Sequence, residues 1–296
     1  MANPVGGLVQ QASWIQQSTL ALTLRPPDGA ATPGEGKRWA LHLAVAHFSG
    51  DPAYAQRLGA ALPLQEVANP VDFWLTRASL ERRSDDGRWS LEAGLVAMTP
   101  DLFSTPIEGF YVYDALNGAP VLFTIPNFPV FTVAAPGAML VLWPTPATTL
   151  RLASFNLAAT DDVTRLLGTA SRLPPGRGWT HQLQWSWAAP WLNRRLGAPI
   201  AACRGRGGLQ VRRRTCRQPM AVERQLPGGL LQLDAYGGTV PIRGVYGSAT
   251  VPVALPWGVD HRLWLDHRLW AAAAAAAGFD TTPNPTPSYL GGGLVS

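Results

Sequence analysis

Arginines are concentrated between residues 204 and 217, where the sequence reads RGRGGLQVRRRTCR. Such a run can hold a phosphate backbone, because arginines release counterions when they bind nucleic acid. The run lacks the interleaved aromatic residues on which single-strand binders stack bases. In a strand, Arg212 and Arg214 would share one face and Arg213 would lie on the other. We therefore favour a solvated or subunit-facing hairpin, and a nucleic-acid partner is not expected.

The residues that could support catalysis or metal binding form no recognisable pattern. The histidines are His42, His47, His181, His261 and His267. Their spacing matches no structural zinc site, and the chain has no nucleophile elbow, phosphate-binding loop or zinc-protease motif. Glu223 and Asp234 are the acids that we considered as a glycosidase pair, but nothing in the sequence distinguishes them from solvated surface acids. We expect a protein that is not an enzyme and uses no metal or other cofactor.

Cys203 and Cys216 are the only two cysteines. Their spacing could close a β-hairpin, but two cysteines do not establish a disulfide framework, so a bond between them stays open. We see no signal-peptide pattern at the start of the sequence. The longest apolar stretches are broken by Pro or Gly before they reach the roughly 20 residues of a membrane helix. These features predict a soluble protein, made in the cytoplasm, with no membrane partner.

Aromatic residues are the best candidates for a partner surface. The chain has 12 tryptophans, a residue type that is enriched in interface hot spots and in platforms that stack on sugars. Trp264 and Trp270 each end a repeated Asp-His-Arg-Leu-Trp motif, just before a Pro-rich tail that contains Tyr289. We predict that these three residues and the arginines at 212–214 contact a partner.

The composition favours β-strands over a helical bundle. The hydrophobic fraction of 47% excludes a mainly disordered chain, while 27 prolines and 30 glycines require short elements. The segment 39–48 (WALHLAVAHF) predicts a strand with Trp39, Leu41, Leu43 and Val45 on one face and His42 on the other. Similar patterns predict strands at 20–24, 73–80, 89–96, 109–114, 120–125, 130–133, 139–143, 149–152, 181–187, 210–215 and 230–233.

Three further segments have other patterns. Residues 84–87 (Ser-Asp-Asp-Gly) predict a hairpin turn. A short helix is expected near 160–167, and the seven alanines at 271–277 favour a helix as well. We predict an all-β protein with a jelly-roll-like antiparallel β-sandwich at 1–154, a connector at 155–178, a second β-rich domain at 179–279 and an extended C-terminal arm at 280–296.

Two stretches of the first half resemble a family of small β-rich bacteriophage structural proteins. The first is 41–52 (LHLAVAHFSGDP), followed by Glu66-Val67 and by the segment 77–80 (RASL); the second is 110–123 (FYVYDALNGAPVLF). The resemblance covers about residues 39–152. The first stretch departs from the family pattern at Ala46 and Ser49. The resemblance implies a sandwich fold and names no catalytic residue.

The resemblance implies a virion structural protein of the tail, baseplate or neck that attaches a fibre or adaptor. Its partners would be other virion proteins, its location the virion assembled in the host cytoplasm, and a symmetric homo-oligomer is expected. Capsid decoration is the alternative within this class. A host-glycan-binding module, with exposed tryptophans stacked on sugars, is the alternative from another class.

Overall fold

A computed structural model describes residues 14–26, 38–50, 72–98, 102, 134–157, 178–189, 229–239, 243–252, 270–278 and 288–295. The described residues contain eleven β-strands. In chain order the strands are β1 (Ile15–Leu24), β2 (Trp39–Gly50), β3 (Asp72–Arg83), β4 (Trp89–Val96), β5 (Ala135–Thr145), β6 (Thr148–Asn156), β7 (Trp179–Ala189), β8 (Gly229–Gly238), β9 (Gly244–Pro252), β10 (Trp270–Gly278) and β11 (Ser288–Val295).

The eleven strands form one sheet in which each strand pairs antiparallel with the next strand along the chain. The expected all-β class is therefore confirmed. The expected sandwich is wrong, because β6 and β7 pair directly, with Asn156 opposite Trp179, and so join the two halves in a single sheet. Alternation identifies strands, but it does not say which sheet they enter. The domain boundaries at 154, 178 and 279 stay a prediction.

Most strand predictions within the described residues are confirmed. β2, β3, β4 and β7 cover the segments expected at 39–48, 73–80, 89–96 and 181–187. The strands expected at 109–114, 120–125, 130–133 and 210–215, and the short helix near 160–167, lie outside the described residues.

The alanine run is a strand, so the prediction of a helix at 271–277 is wrong. β10 pairs with β9 on one side and with β11 on the other, so its backbone hydrogen bonds are made between strands. Alanine has the highest helix propensity, but its advantage is less than about 1 kcal/mol per residue over most other residues. Pairing on both sides overrides that preference. The partner strand β11 lies within the segment expected to be an extended arm.

Two tight turns lie at the same end of the sheet, which we call the short-turn end. Residues 84–88 join β3 to β4, and residues 146–147 join β5 to β6. The first is the predicted hairpin turn: the Gly87 amide donates to the Ser84 carbonyl at 3.1 Å, and Gly87 has a φ of 68°. Glycine adopts this left-handed conformation without steric cost.

The two faces of the sheet differ in burial. One face, which we call the buried face, carries both polar and apolar side chains. Near the end opposite the short turns it also carries an apolar cluster of Ala46, Phe48 and Trp74. The other face, which we call the exposed face, is accessible along most strands.

Close approach of neighbouring strands requires glycine at two paired positions, Gly94 and Gly137. A Cβ at Gly137 would lie 2.3 Å from the Ser154 carbonyl oxygen and 2.5 Å from Cδ1 of Phe155. Gly94 has a φ of 140°, and a Cβ there would lie 2.4 Å from the Ala78 carbonyl oxygen. A side chain at either position would therefore push strands apart.

We predict that Gly137→Ala lowers the free energy of unfolding by about 1–3 kcal/mol, the usual cost of overpacking. Gly247→Ala is the matched control, because its Cβ would first meet the flexible Cδ2 of Leu233 at 3.3 Å. Chemical denaturation of both variants measures the difference. Equal stability of the two variants would contradict the close approach at Gly137.

Candidate functional site

The buried face carries an unusual number of polar and charged side chains. In a strand the side chains alternate between faces, so residues two apart share a face. On β7 the buried polar positions are Thr180, Gln182, Gln184 and Ser186, each at most 3% exposed. The same face of the other strands contributes Ser79, Glu81, Ser90, Glu92, Thr149, Arg151, Gln232, Asp234 and Ser248.

Large apolar side chains lie on the exposed face. In β1 Leu20 is 72% exposed and in β11 Leu290 is 84% exposed, while the exposed leucines from β2 to β8 are 38–52% exposed. The exposed leucines are Leu20, Leu22, Leu24, Leu41, Leu43, Leu80, Leu91, Leu152, Leu183, Leu233 and Leu290. On β9 and β10 the face is made of smaller residues, including Gly247 and Ala275. A sheet in water normally buries its apolar side chains and exposes its polar ones. This sheet reverses that arrangement for its large leucines, which are exposed, and for many of its polar side chains, which are buried.

Aromatic residues flank the leucines of the exposed face. Trp39, Trp89 and Trp187 lie toward the short-turn end, and Phe73 and Trp179 lie toward the opposite end. Trp179 and Trp187 are eight residues apart on β7, about 26 Å along the strand at roughly 3.3 Å per residue. Two aromatic girdles around an apolar band of about 25 Å are typical of sheets that cross an outer membrane.

The largest polar network of the buried face joins β6, β7 and β8. Arg151 donates a hydrogen bond to Oε1 of Gln184. Gln184 in turn donates to Oδ1 of Asp234 at 2.7 Å, and Gln232 donates to Oδ2 at 3.0 Å. The Asp234 carboxylate thus accepts one amide hydrogen bond at each oxygen, and Gln184 links it to the arginine. Because all four side chains are buried, removal of a partner would leave a costly unmatched group.

A second network joins β3 and β4 around Glu92. Arg77 Nε donates to Oε1 of Glu92 at 2.7 Å, and Arg77 Nη2 and Ser79 Oγ also bond to this carboxylate. A β-bulge allows this contact: Ala44 pairs with Arg77 and Val45 pairs with Leu75, so the intervening residue Thr76 has no partner in β2. The extra residue changes the alternation, so that Trp74 before the bulge and Arg77 after it lie on the same face although they are three residues apart.

A third network surrounds Glu81 on the same face. His42 Nε2 lies 3.0 Å from Oε2 of Glu81, and Arg83 Nε lies 2.6 Å from Oε1. His42 Nδ1 lies 3.1 Å from Oγ1 of Thr23, so this network extends from β1 to β3. Each carboxylate of the three networks therefore has hydrogen-bond donors at both of its oxygens.

Several buried polar atoms have no hydrogen-bond partner within the part of the chain that the structure describes. They include Oε1 of Gln182, Oγ of Ser186 and Oγ of Ser248. Ser186 and Ser248 lie on either side of Gln232 in the register of β7, β8 and β9. Buried polar groups are normally satisfied by protein or by water. This patch therefore suits water or a polar solute.

The structure does not test the predicted partner surface. Arg212, Arg213, Arg214 and Trp264 lie outside the described residues. Trp270 begins β10, opposite Pro252 of β9 and Val295 of β11, and Tyr289 pairs with Ala276. A partner role for these residues stays a prediction.

Asp234, which we considered as a catalytic acid, lies in the network of Gln184, while Glu223 is outside the described residues. The networks were not predicted from the sequence. The available signal was the segment 180–187 (THQLQWSW), in which polar residues alternate with Leu183, Trp185 and Trp187.

Two absences apply to the described residues. No group of three or more His, Cys, Asp or Glu side chains among them is placed to hold a metal ion. None of them forms a helix of the length and apolarity that a membrane crossing requires.

Comparisons with known proteins give a likeness of fold. No protein-family model and no curated protein matches the chain. The high-pH structure of Pseudomonas putida OprB matches with a TM-score of 0.67 and 16% identity, over 99% of this chain and 67% of that chain. The low-pH structure of P. putida OprB gives a TM-score of 0.48 at 14% identity, over 95% and 63% of the two chains. The crystal structure of Acinetobacter baumannii OccAB4 gives a TM-score of 0.43 at 9% identity, over 97% of this chain and 59% of that chain. The first of these matches indicates a shared fold.

These neighbours are β-barrel porins of the bacterial outer membrane. The resemblance to phage structural proteins is therefore wrong, and so are the expected virion role, virion partners and virion location, including capsid decoration. The alternative of a host-glycan-binding module and the expected absence of a membrane partner are wrong for the same reason. Short alternating strands and Gly-containing turns are common to both classes, which explains the error. The likeness of fold to OprB agrees with the expectation that the chain is not an enzyme.

We predict that Gln184→Leu lowers the free energy of unfolding by about 2–4 kcal/mol, because Arg151 and Asp234 would each lose a buried partner. The matched control is Gln16→Leu, since the Gln16 side chain is exposed and donates a hydrogen bond to the exposed hydroxyl of Ser18. Chemical denaturation measures both variants. A loss of similar size in the control would argue against a structural role for the network.

Proposed function

We propose that the chain forms the wall of a β-barrel channel in the bacterial outer membrane, through which small polar solutes pass. The reversed arrangement of the two faces is the observation that carries this proposal. Transmembrane barrels place apolar side chains outward toward lipid and polar side chains inward. The likeness of fold to OprB supports the same assignment.

The exposed face meets the physical requirements of a lipid environment. Backbone polar groups inside a bilayer must be satisfied within the protein, and every described strand except β1 and β11 pairs on both sides. The strands are 8 to 12 residues long, close to the roughly 9–11 residues that cross a membrane at a tilt. Trp and Phe residues at both ends of the leucine band suit the two headgroup regions.

The buried face suits the inner wall of a channel for polar solutes. The three networks contain three arginines and three carboxylates, so their charges balance. Gln182, Ser186 and Ser248 add hydrogen-bonding atoms that the described part of the protein does not satisfy. A wall of this kind replaces the hydrogen bonds that a solute gives up when it leaves water.

Closure of the barrel would need more than the eleven described strands. Each strand is antiparallel to the next, so β1 and β11 run in the same direction. Direct pairing of these two strands would be parallel, whereas bacterial outer-membrane barrels have even strand numbers and antiparallel closure. We propose that an odd number of further strands completes the barrel.

Reconstitution tests the proposed function directly. We expect purified protein, refolded into a planar lipid bilayer, to produce stepwise ion conductance, and liposomes that contain it to admit small polar solutes. Heat-denatured protein at the same concentration is the control. Failure to insert, or insertion without conductance and without solute entry, would refute the proposed channel.

We predict that Leu152→Arg lowers the stability of the protein in lipid vesicles by about 2–4 kcal/mol, the cost of arginine on the lipid face near the bilayer midplane. Leu152 lies at the middle of β6 and is 40% exposed. Leu152→Val is the control, and urea titration monitored by tryptophan fluorescence is the measurement. For a sheet that faces water, the arginine variant would instead have nearly unchanged stability.

We predict that Asp234→Asn shifts the reversal potential in a salt gradient toward anion selectivity, because the wall loses one negative charge while Arg151 remains. Asp86→Asn is the control, since Asp86 lies in the exposed turn between β3 and β4. The same reversal potential for wild type and Asp234→Asn would place Asp234 away from the conducting path.

A further inference from the structure

Arg82 interrupts the apolar side chains of the exposed face. It pairs in register with Trp39 on one side and with Leu91 on the other. Its guanidinium carbon lies 4.9 Å from the centroid of the Trp39 ring, a cation–π geometry. Arg82 is next to the last residue of β3, so this cation lies where the leucine band meets the short-turn end.

Arg82 differs from the other arginines around this turn in its partners. Arg83 contacts Glu81 at 2.6 Å, Arg38 contacts Asp85 at 2.5 Å, and Arg88 lies 3.6 Å from Asp86. No carboxylate contacts Arg82 in the part of the chain that the structure describes. Among the described residues, no acid therefore balances the charge of Arg82. Arg82 nevertheless lies on the exposed face, which is proposed to contact lipid.

We infer that Arg82 and Trp39 form a binding site for the phosphate of an anionic lipid headgroup, in the leaflet at the short-turn end. This inference rests on the proposed membrane location. The planar guanidinium can donate two parallel hydrogen bonds to phosphate oxygens. Its stacking on Trp39 limits the rotation of the fork, and tryptophan itself favours the headgroup level of a bilayer.

The surroundings favour a lipid over a free phosphate. Leu41 and Leu80 lie on the same face, two residues along their strands from Trp39 and Arg82 and further from the short-turn end; they are 38% and 47% exposed. Leu91, which pairs with Arg82, is 44% exposed. An acyl chain below the headgroup would cover these leucines. A free anion would contact the arginine but leave the leucines uncovered. The ligand that matches both parts has an anionic head and an apolar tail.

The test compares Arg82→Gln with Arg88→Gln in vesicles of phosphatidylcholine with and without phosphatidylglycerol. Arg88 is the matched control, because it carries the same charge in the exposed turn beside Asp86. We expect phosphatidylglycerol to raise the thermal unfolding midpoint of the wild type and of Arg88→Gln. Arg82→Gln should lose most of that rise and should retain less phosphatidylglycerol in native mass spectrometry. Inorganic phosphate added to phosphatidylcholine vesicles should have no comparable effect.

Three results would overturn the inference in distinguishable ways. An equal response of Arg82→Gln and wild type to phosphatidylglycerol would remove the site but leave the channel proposal intact. Equal stabilisation by inorganic phosphate would identify a simple anion site and exclude the lipid. Failure of the wild type to insert into any vesicle would refute the proposed function, and this inference with it.

Discussion

The structure depends on strand register, because register decides which side chains share a face. In the centre of the sheet the pairing places polar residues opposite polar residues, as with Gln184 and Asp234, and apolar residues opposite apolar residues, as with Leu152 and Leu183. A slip of one residue in any strand would move its polar side chains to the leucine face. In lipid such a slip would leave those groups without partners, so the membrane itself would enforce the register.

The polar networks and the register support each other. Arg151, Gln184 and Asp234 come from three consecutive strands and can bond only when those strands are aligned as observed. The bulge at Thr76 has the same effect in β3: it changes the alternation within the strand, so that Arg77 joins Glu92 on the buried face. The buried charges therefore specify the alignment of strands and also form the wall of the proposed channel.

The exposed face also explains why the protein was placed in the wrong class from sequence. We identified the alternation of Trp39, Leu41 and Leu43 correctly, but an apolar face predicts only that those side chains avoid water. A protein core and a lipid bilayer satisfy that condition equally well. The polar residues that alternate with the apolar ones distinguish the two cases. A series such as Thr180, Gln182, Gln184 and Ser186 is typical of a face in water, yet in this sheet these side chains are buried.

The sequence by itself determined the local elements: the all-β class, β2, β3, β4 and β7, and the turn at Ser84–Gly87. These follow from period-two alternation and from turn chemistry, which act over a few residues. Tertiary structure alone decided that the halves share one sheet, that Ala271–Ala277 is a strand, and which face is buried. Each of these depends on partners distant in the chain. β10 is a strand because β9 and β11 supply its hydrogen bonds, and no local preference contains that information.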